Sequence, residues 1–303
     1  MRSLTPGYAT NEPENPSADT TVKTQNGRKL TTVFLRNRTS VIGASISALL
    51  FILAISAPWI SPYDPLKQNV YHRLIGPEAS HLFGTDEFGR DVLSRVLKGG
   101  QISLFVGIVS ILLGILIGPG LGMIAAYAGG KTEAGIMRFL DVMMSFPDEV
   151  FGVMVMIVLG PGMQNVIIAI AVLMIPRFAR MGHAPTLAIK DLEYIASARS
   201  LGGSSLRIIC RHILPNIFGE TLVISTLWLA TAIRLEASLS FLGVGVQPPT
   251  PTLGNMVRAG VDFLATAPWV SLFSGLGILL AVLAFNLLGD GLRDITDPKL
   301  YAR

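Results

Sequence analysis

Three long segments without a charged residue constrain the fold of this chain more than any other feature. Residues 41–60, 102–128 and 263–289 are charge-free runs of twenty, twenty-seven and twenty-seven residues. A helix needs about 20 mostly apolar residues to cross the hydrocarbon core of a bilayer. Only 15% of the residues are charged, whereas a soluble chain carries roughly a quarter. The sequence therefore predicts an all-α polytopic membrane protein.

Three further segments are apolar overall but contain or border charged residues. They are residues 136–159, 163–178 and 217–239. Leaving them outside the membrane would create loops much longer than compact domains normally contain. With these segments included, six transmembrane helices are predicted. The charged residues within or at the ends of these spans include Asp141, Asp148, Glu149, Arg177, Glu220, Arg234 and Glu236.

The distribution of basic residues predicts the orientation, because Lys and Arg accumulate on the cytoplasmic side of a membrane. With the N-terminus inside, 17 of the 24 Lys and Arg residues are cytoplasmic. Both termini are therefore predicted to be cytoplasmic. The flanking segments are then a disordered cytoplasmic tail at 1–40, an external segment at 61–100 with a short helix at 89–98, and a cytoplasmic tail at 291–303.

Composition also excludes several other classes of protein. The single cysteine, Cys210, excludes an intrachain disulfide and a cysteine-rich metal site. The net charge of +4 is too small to indicate a nucleic-acid partner. The partner indicated by composition is membrane lipid.

Small residues recur at every fourth position of the second predicted span. On a helix they form one ridge that lets another helix backbone approach closely, which predicts tight helix packing. The ridge consists of Ser110, Gly114, Gly118, Gly122 and Ala126.

Charged residues within the third and fifth predicted spans have two interpretations: they line a substrate path, or they lie where the span meets the membrane surface. A central Asp costs roughly 2.5–3.5 kcal/mol, so it is not expected to face lipid unpaired. Asp148 and Glu149 either form a polar wall of a substrate path or lie at the membrane edge, with the span beginning near Val150. Arg234 and Glu236 point to different helix faces and are expected to reach the outer interface with their long side chains.

The polar segment 177–215 contains a candidate coupling loop at 185–215. Apolar residues recur at helical spacing from Leu187 to Leu201, and Gly202-Gly203 is predicted to end that helix. A second short helix is predicted over 204–212, ending before Leu214-Pro215. This helix pair either docks a cytoplasmic partner or is a re-entrant element without one.

No nucleotide site is visible in the sequence. Gly129-Gly130-Lys131-Thr132 resembles the end of a phosphate-binding loop, but Ala125 occupies the first glycine position and no strand precedes it. No cofactor or metal is therefore expected on this chain, which is not expected to be an enzyme. Energy for transport would come from an ion gradient or from a separate ATPase.

The coupling loop resembles the E-A-A-x3-G-x9-I-x-L-P loop of ABC importer permeases. The resemblance rests on Ala196-Ser197-Ala198, Gly202 and Leu214-Pro215, with Ala196 in place of the glutamate and His212 in place of the isoleucine. Three further stretches are similar to dipeptide/oligopeptide/nickel permeases: GTDEFGRDVLSR at 84–95, SFLGVGVQPPTP at 240–251 and FNLLGDGLRD at 285–294.

This resemblance implies the type I ABC importer permease fold, in the bacterial cytoplasmic (inner) membrane. The chain would be a C-type subunit that pairs with a B-type permease, two cytoplasmic ATPases that bind ATP and Mg, and an external substrate-binding protein. Its substrate would be dipeptides, oligopeptides or a similar solute such as glutathione or nickel. The residues implied in ATPase coupling are Glu193, Tyr194, Ala196, Ser197, Ala198, Arg199, Gly202, His212, Leu214 and Pro215.

Two other functions and two roles of the external segment remain as alternatives. The first is a proton-coupled secondary transporter that uses Asp148 or Glu149, and the second is a membrane scaffold that transports nothing. The external segment 61–100 either seals the bundle or contacts the binding protein.

Overall fold

The computed structural model describes residues 38–296, and within that range the chain is all-α. An isolated β-bridge joins Thr85 to Asp91. The predicted tails lie largely outside the described residues. The helices are α1 (Arg38–Ile60), α2 (Val92–Ala128), α3 (Gly130–Met144), α4 (Asp148–Leu159), α5 (Met163–Ile189), α6 (Glu193–Ser200), α7 (Ser205–Ile208), α8 (Leu214–Phe241), α9 (Leu253–Val261) and α10 (Trp269–Thr296).

Five helical segments of the described chain are long and apolar enough to cross a membrane. They are α1, α2, α5, the continuous segment Ser205–Phe241 and α10. A sixth span is obtained only when α3 and α4 together count as one broken span. The all-α prediction is confirmed, and the predicted number of six spans depends on that broken pair.

The predicted span over 136–159 is not one continuous helix. The segment forms two helices, α3 and α4, bent by 98°. Pro147 disfavours helical geometry at the residue before it and provides no backbone N–H for the helical hydrogen bonds. The twelve residues of α4 extend about 18 Å, which is shorter than a hydrocarbon core of about 30 Å.

Two other predicted spans have different bounds in the structure. The predicted span 163–178 continues as α5 to Ile189, so Arg177 lies inside the helix. The predicted span 263–289 begins only at Trp269, because residues 262–266 form a turn after α9. This turn is stabilised by backbone hydrogen bonds such as Ala267 N to Phe263 O, at 2.6 Å.

The predicted short external helix at 89–98 is instead the first part of α2. Asp91 caps this helix, because its carboxylate accepts from the backbone N–H of Ser94 at 2.8 Å. From Val92 the helix then continues without a break to Ala128.

The two predicted loop helices also differ from the observed ones. The first is shorter than predicted, because the chain turns at 190–192 and α6 begins only at Glu193. The second does not end before Leu214-Pro215, because the π-helical turn Ile209–Ile213 joins α7 directly to α8. Pro215 lies in the first turn of α8, where the missing N–H of proline is tolerated.

The bundle is centred on α2, α5 and α8. The helix pair with the most extensive contact is α2 with α5, and α10 packs against α1, α8 and α9. Phe178 and Phe285 are fully buried in the core. The external segment packs on the outer end of this bundle, where Trp269 Nε1 donates to the backbone oxygen of Thr85 at 3.0 Å.

Candidate translocation path and coupling surface

Acidic side chains of the broken span α3–α4 pair with basic side chains of α5 and α8. Three of the basic residues, Arg177, Arg180 and His183, are spaced by three along α5 and therefore share one side of that helix. The pairs are Glu133–His183 at 2.7 Å, Asp141–Arg180 at 2.6 Å, Asp148–Arg177 at 2.6 Å and Glu149–Arg234.

The Asp148–Arg177 pair is the more enclosed of the two pairs at the start of α4. Nη2 of Arg177 lies 2.6 Å from both carboxylate oxygens of Asp148. The other terminal nitrogen, Nη1, donates to the backbone oxygen of Leu173 at 2.9 Å. The guanidinium also lies over the Trp228 ring, 5.0 Å from its centroid. Contacts from three helices thus hold this pair in place.

The neighbouring Glu149–Arg234 pair is much more open. Its side chains are 39% and 46% exposed, against 23% and 14% for Asp148 and Arg177. Because a charged side chain needs solvation or a partner, the exposed parts of these two side chains must contact water or another molecule.

Both members of the Glu149–Arg234 pair lie some distance before the C-terminal ends of their helices. Arg234 lies seven residues before the end of α8 and Glu149 ten residues before the end of α4, which corresponds to about 10 Å and about 15 Å at 1.5 Å per residue. Gly162 N donates to Gly245 O at 3.3 Å, so these two helices end at a similar level. Along their helices, the two charges therefore lie about two to three turns before those ends.

The break between α3 and α4 is also exposed. Ser145, Phe146 and Pro147 are non-helical or turn residues with exposed side chains. Non-helical backbone at membrane depth is tolerated only where protein buries it or where it lines a water-filled cavity. The exposed break and the half-exposed Glu149–Arg234 pair therefore adjoin each other on the surface of the chain.

Glu236 does not reach the outer interface as predicted, because it is fully buried. Its carboxyl oxygens accept from Ser103 Oγ at 2.6 Å and from Ser240 Oγ at 2.8 Å. Glu236 thereby joins α8 to α2. The prediction that Arg234 and Glu236 point to different faces is correct, since Arg234 is exposed.

The coupling loop folds as a compact cytoplasmic element with a buried and an exposed face. Ile195 of α6 is fully buried against Ile208, Ile213 and Met123. Lys190 Nζ donates to the backbone oxygen of Ala126 at 3.0 Å, and the Arg199 guanidinium lies 5.4 Å from the Tyr127 ring centroid. The loop is thus attached to the cytoplasmic end of α2.

The other face of α6 is open. The exposed residues include Glu193, Tyr194, Ala196, Ser197 and Arg199, and Ala198 is half-buried. Leu201 is 89% exposed, next to Gly202, which has a φ of +82°. Behind α6, Tyr194 lies near the half-buried His212, with ring centroids 6.4 Å apart, while Leu214 is half-buried and Pro215 exposed.

The small-residue ridge of α2 lies against α5. Ser110 Oγ donates to the backbone oxygen of Ile167 at 3.1 Å. A Cβ atom added to Gly114 would lie 3.0 Å from Met174 Cβ, and one added to Gly118 would lie 2.8 Å from Ile175 O. At Gly122 it would overlap the backbone oxygen of Ala179. Ala126, the last member, is fully buried.

The external segment contains a buried charged cluster away from this path. Asp86 pairs with Arg90 at 2.6 Å and with Arg95 at 3.2 Å. Burial raises the pKa of the neighbouring Glu87 carboxyl, and the negative charge of Asp86 raises it further. Across residues 38–296 no group of three or more His, Cys, Asp or Glu side chains is placed to hold a metal ion.

The sequence singled out Asp148 and Glu149, but it did not show that Arg177 and Arg234 pair with them. The spacing of Arg177, Arg180 and His183 on one helix side was a usable signal in the sequence. Which acid meets which base depends on the bend at Pro147, and no local pattern contains that information.

The features of the fold and the site define a class of protein. Long apolar helices joined by ion pairs, an exposed broken span and a structured loop between two spans are typical of a permease subunit. The family models agree with this class. Residues 110–301 match the model described as binding-protein-dependent transport system inner membrane component, and residues 29–77 match the N-terminal TM domain of oligopeptide transport permease C.

Relatives with similar sequences cover nearly the whole chain. The glutathione transport system permease protein GsiD of Pectobacterium atrosepticum is 44% identical over 268 residues, covering 88% of this chain and 89% of that protein. The GsiD protein of Escherichia coli is 46% identical, with 88% of each chain covered. The chain belongs to the family of binding-protein-dependent transport system inner membrane components, and it is a permease subunit of an ABC importer in the bacterial inner membrane.

Solved structures share the fold. Two crystal forms of the inward-facing MetNI methionine ABC transporter contain a chain that superposes with TM-scores of 0.55 and 0.56. The match covers 67% and 68% of this chain and 97% and 98% of the solved one, at 20% sequence identity. This likeness supports the type I importer permease fold predicted from the sequence.

Proposed function

We propose that this chain forms one half of the path by which an ABC importer takes up glutathione or a related short peptide. The observation that carries the proposal is the exposed break at 145–147 beside the half-exposed Glu149–Arg234 pair, both within segments that are apolar enough to cross a membrane. Such a surface requires water or a second subunit. The two GsiD relatives, named as glutathione permeases, support the choice of solute.

The other half of the path would come from a different permease chain, of the B type. Two cytoplasmic ATPases would bind and hydrolyse ATP with Mg, because the sequence of this chain contains no nucleotide-binding motif. An external binding protein would deliver the solute, which agrees with the description of the family. The termini would lie in the cytoplasm, as the distribution of Lys and Arg indicates.

The open face of α6 would be the surface that contacts the ATPase. Its buried residue Ile195 packs against the π-helical turn that leads directly into α8, and Lys190 and Arg199 contact the end of α2. A rigid element connected to two spans transmits a rigid-body movement. Closure of the ATPases would therefore reach α2 and α8, and Arg234 lies on α8.

The test is uptake by the reconstituted complex with an arginine placed on this face. Ala196→Arg puts a long charged side chain on exposed α6, and Ala128→Arg puts the same side chain at an exposed position at the end of α2. We expect Ala196→Arg to abolish ATPase co-purification and ATP-driven glutathione uptake. Ala128→Arg should retain both.

Three results would contradict the proposal. Normal ATPase binding in Ala196→Arg would exclude α6 as the docking surface. Uptake that persists without ATPases and disappears when the proton gradient is collapsed would indicate the secondary transporter instead. A complete complex that takes up no glutathione or peptide would support the scaffold.

A further inference from the structure

The two ion pairs at the start of α4 differ in how firmly they are held. Asp148 and Arg177 hold each other through two contacts of 2.6 Å, and Arg177 has further contacts with Leu173 and Trp228. For the Glu149 and Arg234 side chains the structure gives one hydrogen bond, which joins them, and both are more than a third exposed. A molecule that arrives at this side therefore meets one closed pair and one accessible pair.

The accessible pair presents opposite charges next to each other. The Glu149 carboxylate and the Arg234 guanidinium are in direct contact. A ligand that replaces this contact must bring a cation to Glu149 and an anion to Arg234 at nearly the same place. In an α-amino-acid headgroup the ammonium and the carboxylate are attached to one carbon. In a linear dipeptide one more residue separates them, by up to about 3.3–3.6 Å in an extended chain.

Exchange of this pair with such a headgroup keeps the charges balanced. A half-exposed ion pair contributes little stability, so a ligand can replace it. A charge left unpaired within an apolar span would still be unfavourable. A zwitterionic headgroup supplies both missing partners at once, and Asp148–Arg177 remains closed. The guanidinium suits this role because its donors match a carboxylate in a two-bonded geometry.

We propose that Glu149 and Arg234 form a binding subsite for the α-amino-acid headgroup of the solute. The ligand carboxylate binds the Arg234 guanidinium, and the ligand ammonium binds the Glu149 carboxylate. The γ-glutamyl end of glutathione has this headgroup, with both groups on one carbon. This inference rests on the proposed function, because it requires that this side of the chain lines the path.

The test measures ligand contact with the complete permease–ATPase complex in lipid nanodiscs, without the external binding protein. Saturation-transfer NMR suits weak binding, and the probes are glutathione and its N-acetylated derivative, which has lost the ammonium charge. For the wild-type complex we expect transfer to the γ-glutamyl α-proton of glutathione, and about tenfold less to the N-acetylated probe, since loss of one charged contact costs at least 1.4 kcal/mol.

The decisive variant is Glu149→Gln with Arg234→Gln, which removes both charges and leaves no unpaired one. It should abolish the transfer while the complex remains assembled. Asp141→Asn with Arg180→Gln is the matched control. It neutralises a second exposed ion pair of the broken span, which is formed with α5 instead of α8. This control should retain the wild-type signal.

The outcomes separate this inference from the proposed function. Equal transfer to both probes, or a full signal in Glu149→Gln/Arg234→Gln, would overturn the headgroup subsite even if ATP-driven uptake persists. Absence of signal in the wild type, with loss of subunit assembly in the double variant, would show that a subunit covers the pair and would also overturn it. Absence of ATP-driven uptake by the wild-type complex would instead refute the proposed function.

Discussion

The two sides of helix α5 pack by different chemistry. Towards α2 the contact consists of small residues, and Gly114, Gly118 and Gly122 leave almost no room for a Cβ atom. Towards the broken span the contact depends on the ion pairs of Arg177 and Arg180 and on the hydrogen bond between His183 and Glu133, all partly or half exposed. The first side buries backbone against backbone, while the second keeps charged groups within reach of water.

This difference indicates where the molecule can change. Close packing of small residues fixes the distance between two helices and leaves no space for solvent. Ion pairs between exposed side chains contribute little stability and can exchange partners. We therefore assign the rigid frame to the α2–α5 contact and the path to the side of the broken span.

The largest effect is expected on the rigid side. Gly122→Leu would force a side chain against the backbone oxygen of Ala179. Overpacking of this kind costs at least about 1–3 kcal/mol, so we expect a large loss of folded protein and a lower Tm in detergent.

Gly120→Leu is the matched control for this prediction. It lies on the same helix, and a Cβ atom added there meets nothing within 4 Å. If Gly122→Leu and Gly120→Leu had the same Tm and yield, the α2–α5 contact would not be the rigid frame.

An intermediate effect is expected at the enclosed pair. Arg177→Gln leaves Asp148 without its guanidinium at membrane depth. We expect the loss of stability to lie below the about 3–5 kcal/mol of fully buried pairs, since both side chains are partly exposed. Thermal unfolding of the purified complex measures it. Adding Asp148→Asn should recover most of the loss, and no recovery would contradict the pairing.

The smallest effect is expected at the exposed pair of α3. Asp141 and Arg180 are 53% and 51% exposed, and ion pairs of this kind contribute about 0–1 kcal/mol. Asp141→Asn should therefore leave the Tm of the complex nearly unchanged. A drop as large as that of Arg177→Gln would remove the distinction between enclosed and exposed pairs.

The sequence alone was sufficient for the parts of the fold that depend on local composition. The spans around 41–60 and 102–128 contain no charged residue, so their apolar content alone predicts them. The ridge from Ser110 to Ala126 is visible because a spacing of four residues matches the helical period. These features need no knowledge of the neighbouring helices.

The bend and the pairing at the candidate site required the structure. The average hydropathy over 136–159 does not show the break at Pro147, because the stretches before and after it are both apolar overall. The sequence places Glu236 near the end of its span and so predicts that it reaches the interface. Its partner Ser103 lies 133 residues away, so no local pattern shows that the carboxyl group is buried. The same limit applies to Arg234 and Glu149, which are 85 residues apart.

The central claim is that the break at 145–147 lines a water-filled path. Cysteine accessibility in the assembled complex tests it most directly. The background is Cys210→Ser, which removes the single native thiol of this chain. Ser145→Cys should react with a charged, membrane-impermeant thiosulfonate. Leu116→Cys, at a position of α2 whose native side chain is also exposed, should react only with an apolar maleimide. A Ser145→Cys thiol that resists the charged reagent throughout the ATP cycle would contradict the account.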